Sequence, residues 1–159
     1  MNAEACAAQV QADLGEAWLP QIYRRVRARR TRSYEFAAPG KKPRVEIQHT
    51  LLGVELKVGG KRLLCPDLAT ARYLSIFAKA GCTDVAVPYD ITKISQLADE
   101  LESSWHRMLL LVDHYTKSAS TAMKARVTGL LRDKIRSEIS ELGAGAAMPE
   151  FKTNTRQRN

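Results

Sequence analysis

The sequence contains few aromatic residues and no long apolar run. Aromatic side chains make up 6% of the 159 residues, so we do not expect extensive stacking on nucleic-acid bases. The longest fully apolar run, residues 108–112, is far shorter than the roughly 20 residues of a membrane-spanning helix, so we expect no transmembrane segment. The first residues include Glu4, Asp13 and Glu16 and lack a basic stretch, which is unlike a secretory signal.

Cysteine is also scarce, and its spacing excludes the common metal and redox motifs. Cys6, Cys65 and Cys82 form no CxxC pair, and no cysteine–histidine cluster has zinc-site spacing. Cys65 and Cys82 are expected at opposite ends of one helix, roughly 20 Å apart, which is beyond disulfide reach. Free thiols indicate a reducing compartment, so we expect a cytoplasmic protein.

Acidic residues are almost absent from residues 21–44, where Glu35 is the one acid. The same segment holds nine of the 25 basic residues: Arg24, Arg25, Arg27, Arg29, Arg30, Arg32, Lys41, Lys42 and Arg44. Outside it, sixteen basic and sixteen acidic residues balance, so this basic segment accounts for the formal charge of +8. A concentrated positive charge of this kind attracts polyanions.

The composition of the basic segment predicts contact with phosphate groups. Six of its cations between positions 24 and 32 are arginines, whose planar guanidinium group matches phosphate oxygens in a bidentate manner. We therefore expect sequence-tolerant nucleic-acid binding through all nine basic residues, in an adaptor or assembly protein. Two alternatives remain open at this point: docking on an acidic protein or an anionic membrane surface, and a purely solvated face.

The apolar pattern predicts an α+β fold in one domain, residues 1–142. Residues 2–31 show helical spacing, with Pro20 either kinking this helix or starting a second one. We expect its arginine-rich end, within residues 1–32, to be solvated and to project from the protein.

Residues 33–87 are expected to form a small, mainly antiparallel sheet with one crossover helix. Alternation over 45–49 and 52–58 predicts two strands, and Gly59-Gly60 is typical of a type I′ hairpin turn leading into a strand over 61–65. The crossover helix is expected to run from Pro66 to Ala80. A short strand at 84–87 would then lie parallel to an earlier strand.

The remaining residues predict two long helices and a tail. Asp90 is expected to cap the first helix, with Tyr89 packed over the cap, although residues between a strand and a helix often serve in binding. The two helices, within 90–142, are expected to form an antiparallel hairpin that can also bind a protein partner or form a homodimer. We expect residues 143–159 to be a disordered basic tail.

A Glu-x-Lys motif provides the one candidate for catalysis. Glu55 and Lys57 are two apart on a predicted strand and so share one face, and Glu46 lies on the polar face of the neighbouring strand. Together with the order helix, three strands, helix, strand, residues 1–87 resemble the core of the PD-(D/E)XK nuclease superfamily.

That resemblance implies a Mg²⁺-dependent nuclease with Glu46, Glu55 and Lys57 as catalytic residues and Glu46 and Glu55 as metal ligands. The upstream Pro-Asp of the family is missing, and Glu46 would take its place. Without this nuclease site we expect no cofactor. Whether the protein is an enzyme at all stays open, and binding without catalysis is the favoured interpretation.

Overall fold

The computed structural model describes residues 1–36 and 44–144. These residues form five α-helices and five β-strands, which confirms the α+β class. In chain order they are α1 (Ala3–Leu14), α2 (Leu19–Arg27), β1 (Thr31–Glu35), β2 (Val45–Thr50), β3 (Gly53–Val58), β4 (Lys61–Cys65), α3 (Leu68–Lys79), β5 (Asp84–Pro88), α4 (Ile91–Tyr115) and α5 (Thr121–Leu142).

The N-terminal region is two helices rather than one, and its arginine-rich end does not project. A 3₁₀ turn, Gly15–Ala17, separates α1 from α2, and Pro20 lies in the first turn of α2, where its missing N–H group has no intrahelical partner to lose. The expectation of a helix to residue 31 is wrong, because α2 ends at Arg27 and Arg32 lies on β1. The α2 residues Ile22 and Val26 are buried, so this helix lies flat on the protein.

The hairpin strands follow the predicted register. Strands β2, β3 and β4 form an antiparallel sheet in which Leu56 pairs with Leu63 and Val54 with Cys65. The apolar side chains of this sheet face α3. Of the two turn glycines, only Gly59 adopts a positive φ, of 61°, so the turn does not have the two positive φ values of type I′.

The last strand does not pair as predicted. Strand β5 pairs with β1 in an antiparallel manner, with Arg32 opposite Val87, and these two strands form a second sheet. The expected parallel pairing is absent because tyrosine hydroxyls occupy the other edge of β5. Ala86 N–H donates to Tyr23 Oη over 2.8 Å, and Tyr73 Oη donates to the Ala86 carbonyl over 2.6 Å.

Tyr23 connects three elements through one hydroxyl group. Besides accepting from Ala86 on β5, the hydroxyl donates to the carbonyl of Gly143, directly after α5, over 2.7 Å. The ring packs edge-on against Phe77 of α3, with centroids 5.3 Å apart. Burial raises the pKa of Tyr23 to about 12, so the hydroxyl keeps its proton and can donate at neutral pH.

Four of the five described α-helices begin with a side-chain cap. Asn2, Asp67, Asp90 and Ser120 accept hydrogen bonds from backbone N–H groups in the first turns of α1, α3, α4 and α5. The cap at Asp90 was predicted. For α3 the predicted start at Pro66 would place Asp67 inside the helix, but Asp67 is the residue that caps it. Residues 116–120 join α4 to α5, and α1 packs against both of these helices.

The cysteines are free, as predicted, and all three are buried. Burial raises the pKa of Cys65 to about 11 and that of Cys82 to about 12, so both stay protonated and unreactive at neutral pH. None of the helices in the described ranges is long and apolar enough to cross a membrane. The predicted tail lies outside the described residues, apart from Gly143 and Ala144.

We expect Tyr23→Phe to destabilise the fold. It removes one hydroxyl group and leaves both the Ala86 N–H and the Gly143 carbonyl without a partner, which should lower the free energy of unfolding by about 1–3 kcal/mol. Urea denaturation followed by circular dichroism measures the change. The control is Tyr115→Phe, whose hydroxyl bonds to Asp13 at the surface and should contribute less than about 0.5 kcal/mol. Equal losses in the two variants would contradict this role for Tyr23.

Candidate nucleic-acid interface

The arginines of the basic segment lie on three consecutive pieces of structure. Helix α2 carries Arg24, Arg25 and Arg27, the turn after it carries Arg29 and Arg30, and β1 carries Arg32. Because Ile22, Tyr23 and Val26 bury one face of α2, its arginines are restricted to the remaining faces. The six side chains therefore do not surround a free helix, and each has its own environment.

Two of these arginines have partners within the fold. Arg25 Nη2 lies 2.6 Å from Glu100 Oε1 on α4, in an exposed ion pair. Arg27 Nε donates to the carbonyl of Leu142 over 3.1 Å, at the C-terminus of α5. A cation is favourable there because helix carbonyls at this end carry partial negative charge. Both side chains are thus less available to a ligand than the sequence suggests.

Arg24 and Arg29 are exposed and have no carboxylate within 4 Å among residues 1–36 and 44–144. Arg24 lines a cleft of about 640 Å³ between α2 and α4, to which α4 contributes Arg107. Arg107 also has no ion pair with any residue that the structure describes. This cleft holds two carboxylates as well, of which Glu100 is already bound to Arg25 and Glu16 is exposed.

Arg30 and Arg32 contact aromatic rings instead of acids. The guanidinium carbon of Arg30 lies 5.1 Å from the ring centroid of Tyr89. That of Arg32 lies 5.1 Å from the Tyr34 centroid and 5.8 Å from the Tyr89 centroid. In both cases the positive charge is kept rather than neutralised, because a cation–π contact involves no anion.

The other predicted basic residues contribute less to the described surface. Arg44 Nε lies 3.6 Å from Glu46 Oε1; the Arg44 side chain is exposed and that of Glu46 is partly exposed. Lys41 and Lys42 lie outside the described residues. Within the described chain, five arginines in or near the basic segment have neither an acidic partner nor a hydrogen bond to the backbone. They are Arg24, Arg29, Arg30, Arg32 and Arg107, which we call the open arginines.

Sequence reasoning missed Arg107 and the stacking partner of Arg30. Arg107 is a single cation on an amphipathic helix. Only its spacing from other residues of α4 could have indicated that it belongs to this site. Positions 100, 103, 104 and 107 follow steps of three and four residues, so they form one stripe along α4, and this stripe faces α2. Tyr89 was expected to pack over the cap of α4, but its contact with the arginines depends on the pairing of β1 with β5.

The predicted nuclease residues do share one face of the three-stranded sheet. Glu46 on β2 lies directly opposite Lys57 on β3. The next pair on the same face of the sheet is Gln48 with Glu55. Because side chains alternate along a strand, Glu46, Glu55 and Lys57 all point to the side opposite α3. The Glu55 side chain is only 14% exposed, and the nearest cation to its carboxylate is Arg62, at 3.8 Å.

This face can form ion pairs without a metal. Lys57, Arg62 and Arg44 surround the two carboxylates of Glu46 and Glu55. No group of three His, Cys, Asp or Glu side chains in residues 1–36 and 44–144 is arranged to hold a metal ion. A Mg²⁺ ion bound here would need water or substrate oxygens to complete its octahedral shell, as Mg²⁺ sites commonly do.

No protein-family model matches this chain, and searches of curated proteins and of solved structures gave no significant match. Functional conclusions therefore depend on the residues and geometry of this chain alone.

We expect Arg27→Ala and Arg24→Ala to differ in stability although both remove one arginine from α2. Loss of the Arg27 contact with the end of α5 should lower the free energy of unfolding by about 0.5–1.5 kcal/mol. Arg24→Ala should change it by less than about 0.5 kcal/mol, because Arg24 is exposed and unpaired. Urea denaturation measures both values, and the reverse order would show that Arg24 is the structural residue.

Proposed function

We propose that this protein binds nucleic acid through its open arginines, by contact with phosphate groups and without reading base sequence. The observation that carries the proposal is that Arg24, Arg29, Arg30 and Arg32 have no acidic partner in the described chain, in a protein with 17 acidic residues. Five arginines elsewhere in the described chain are each paired with an acid: Arg44, Arg62, Arg72, Arg126 and Arg136.

The cleft between α2 and α4 supports a phosphate site within this surface. Arg24 and Arg107 line the cleft from opposite helices, and Gln21 and Ser103 supply further hydrogen-bonding groups. Such groups from two elements suit the oxygens of a phosphodiester. Glu16 lies in the same cleft, so it repels the phosphate and limits the affinity.

The second half of the proposal is an adaptor or assembly role. The long helices α4 and α5 would bind a protein partner or a second copy of the chain while the open arginines hold nucleic acid. Leu110 on α4 supports such a contact, since 53% of it is exposed although it is large and apolar. Sedimentation with and without nucleic acid measures the oligomeric state.

The affinity for nucleic acid should fall steeply with salt. Five phosphate contacts predict a slope of log affinity against log salt of about −3.5 for a single strand and about −4.5 for a duplex. Arg24→Gln with Arg107→Gln should reduce the slope by about 1.4 to 1.8. Glu16→Gln should raise the affinity. Fluorescence anisotropy with labelled oligonucleotides over a series of salt concentrations measures all three effects.

The matched control removes two arginines that already have acidic partners. Arg126 pairs with Glu4 and Arg136 with Asp133, so Arg126→Gln with Arg136→Gln changes net charge equally but should leave the slope unchanged. Absence of binding at low salt would refute the proposal. Equal, arginine-dependent binding to poly-glutamate or to anionic lipid vesicles would instead favour docking on an acidic protein or a membrane surface.

A Mg²⁺-dependent nuclease is the second candidate, favoured by the shared face of Glu46, Glu55 and Lys57. If the PD-(D/E)XK resemblance is functional, Mg²⁺ or Mn²⁺ supports cleavage of nucleic acid, and Lys57→Ala abolishes it, because that lysine orients the attacking water. Gel electrophoresis of a labelled substrate measures cleavage. Lys61→Ala, an exposed lysine of the same hairpin, is the control. Cleavage that persists in Lys57→Ala would come from a contaminant.

A further inference from the structure

Tyr89 is an exposed aromatic residue beside two arginines that have no acidic partner. Its ring follows β5, and 42% of the residue is exposed. The pairing of Thr31 with Pro88 brings the start of β1 to the end of β5, so the residues on either side of Thr31 lie next to Tyr89. Arg30 and Arg32 contact the ring from these positions.

Arg32 contacts two aromatic rings. Its guanidinium group contacts Tyr34 as well as Tyr89, and its Nε is buried without a hydrogen-bond partner among the described residues. Tyr34 is half-buried, whereas Tyr89 is open to solvent on part of its surface. We call Arg30, Arg32, Tyr34 and Tyr89 the arginine–tyrosine cluster.

The cluster combines positive charge with aromatic rings on one surface. Two cations side by side repel each other, and no carboxylate in the described chain lies within 4 Å of either one. The planar faces of tyrosine and guanidinium groups stack on nucleic-acid bases, and the guanidinium N–H groups bind phosphate. A nucleotide unit offers both a flat base and an adjacent negative charge.

We infer that the arginine–tyrosine cluster is a base-stacking site, and that the nucleic acid is single-stranded where it contacts this cluster. In a duplex the faces of the bases are covered by their neighbours, so stacking on a side chain requires an unpaired base. The inference rests on the proposed function and narrows its substrate class to single-stranded nucleic acid. The cluster contains two aromatic rings, so it can stack on few bases, in agreement with the low aromatic content of the chain.

The test compares a thymidine oligonucleotide with an abasic oligonucleotide of the same length and charge. The wild-type protein should bind the thymidine strand more tightly, by roughly 5- to 150-fold if one base is stacked. Tyr89→Ala should remove this preference and leave the affinity for the abasic strand unchanged. Tyr89→Phe keeps the ring and should keep the preference. Fluorescence anisotropy measures each affinity.

Three outcomes separate this inference from the function on which it rests. Equal affinity of the wild type for the two strands would overturn the stacking site but not phosphate binding. Equal losses on both strands in Tyr89→Ala would mean that Tyr89 only positions the arginines, which also overturns it. Binding of neither strand would contradict the proposed function itself.

A second variant keeps the inference testable if Tyr89→Ala folds poorly. Tyr89→Trp introduces an emitting ring at the site, and its added fluorescence should be quenched by the thymidine strand and not by the abasic strand. Trp18 is buried and Trp105 is half-buried, so the spectrum of the wild type provides the baseline to subtract. Quenching of the added emission by neither strand, at concentrations where both bind, would refute stacking at this position.

Discussion

The hydroxyl groups of Tyr23 and Tyr73 determine how the second sheet is built. They bond to the N–H and the carbonyl of Ala86, which would otherwise be buried polar groups without partners. A further strand could satisfy them equally well, but the tyrosines leave no room for it. Among the strands that the structure describes, β5 therefore pairs with β1 alone, and the short link between α2 and β1 places the arginines beside the end of β5.

The same constraint divides the arginines into two kinds. Two on α2 are used within the fold: Arg25 pairs with Glu100, and Arg27 binds the end of α5. Arg24 on the same helix and the arginines at positions 29, 30 and 32 have no acidic partner in the described chain and face solvent or aromatic rings. Since exposed charges are screened beyond about 10 Å at moderate salt, the field that attracts a polyanion comes from this local group and not from the net charge of the protein.

Local patterns in the sequence were sufficient for much of the fold. The hairpin register followed from alternation and from Gly59-Gly60, and α4 and α5 followed from apolar steps of three and four residues. The partner of β5 was not predictable in this way, because the groups that occupy its edge come from α2 and α3. The end of α2 was missed because arginine continues the helical pattern, whereas pairing with β5 draws Arg32 into a strand.

The candidate site was predictable only in outline. Charge counting located the basic segment, but it could not separate Arg25 and Arg27 from the others, since their partners are 75 and 115 residues away in sequence. Arg107 and Tyr89 join the site through tertiary packing of α4 and β5. In contrast, the position of Glu46 and Lys57 on one face of the sheet could be predicted from the strand register alone, which the alternating pattern provided.

The bonds of Tyr23 and Arg27 to the end of α5 have a consequence for the residues that follow. They fix Leu142 and Gly143 against α2, so the chain continues from a point next to the arginines. Lys152, Arg156 and Arg158 are covalently tethered there. Because only a short segment joins these side chains to Gly143, their effective concentration around that residue is high. A polyanion held by α2 and β1 would therefore meet these three additional cations without a second encounter from solution.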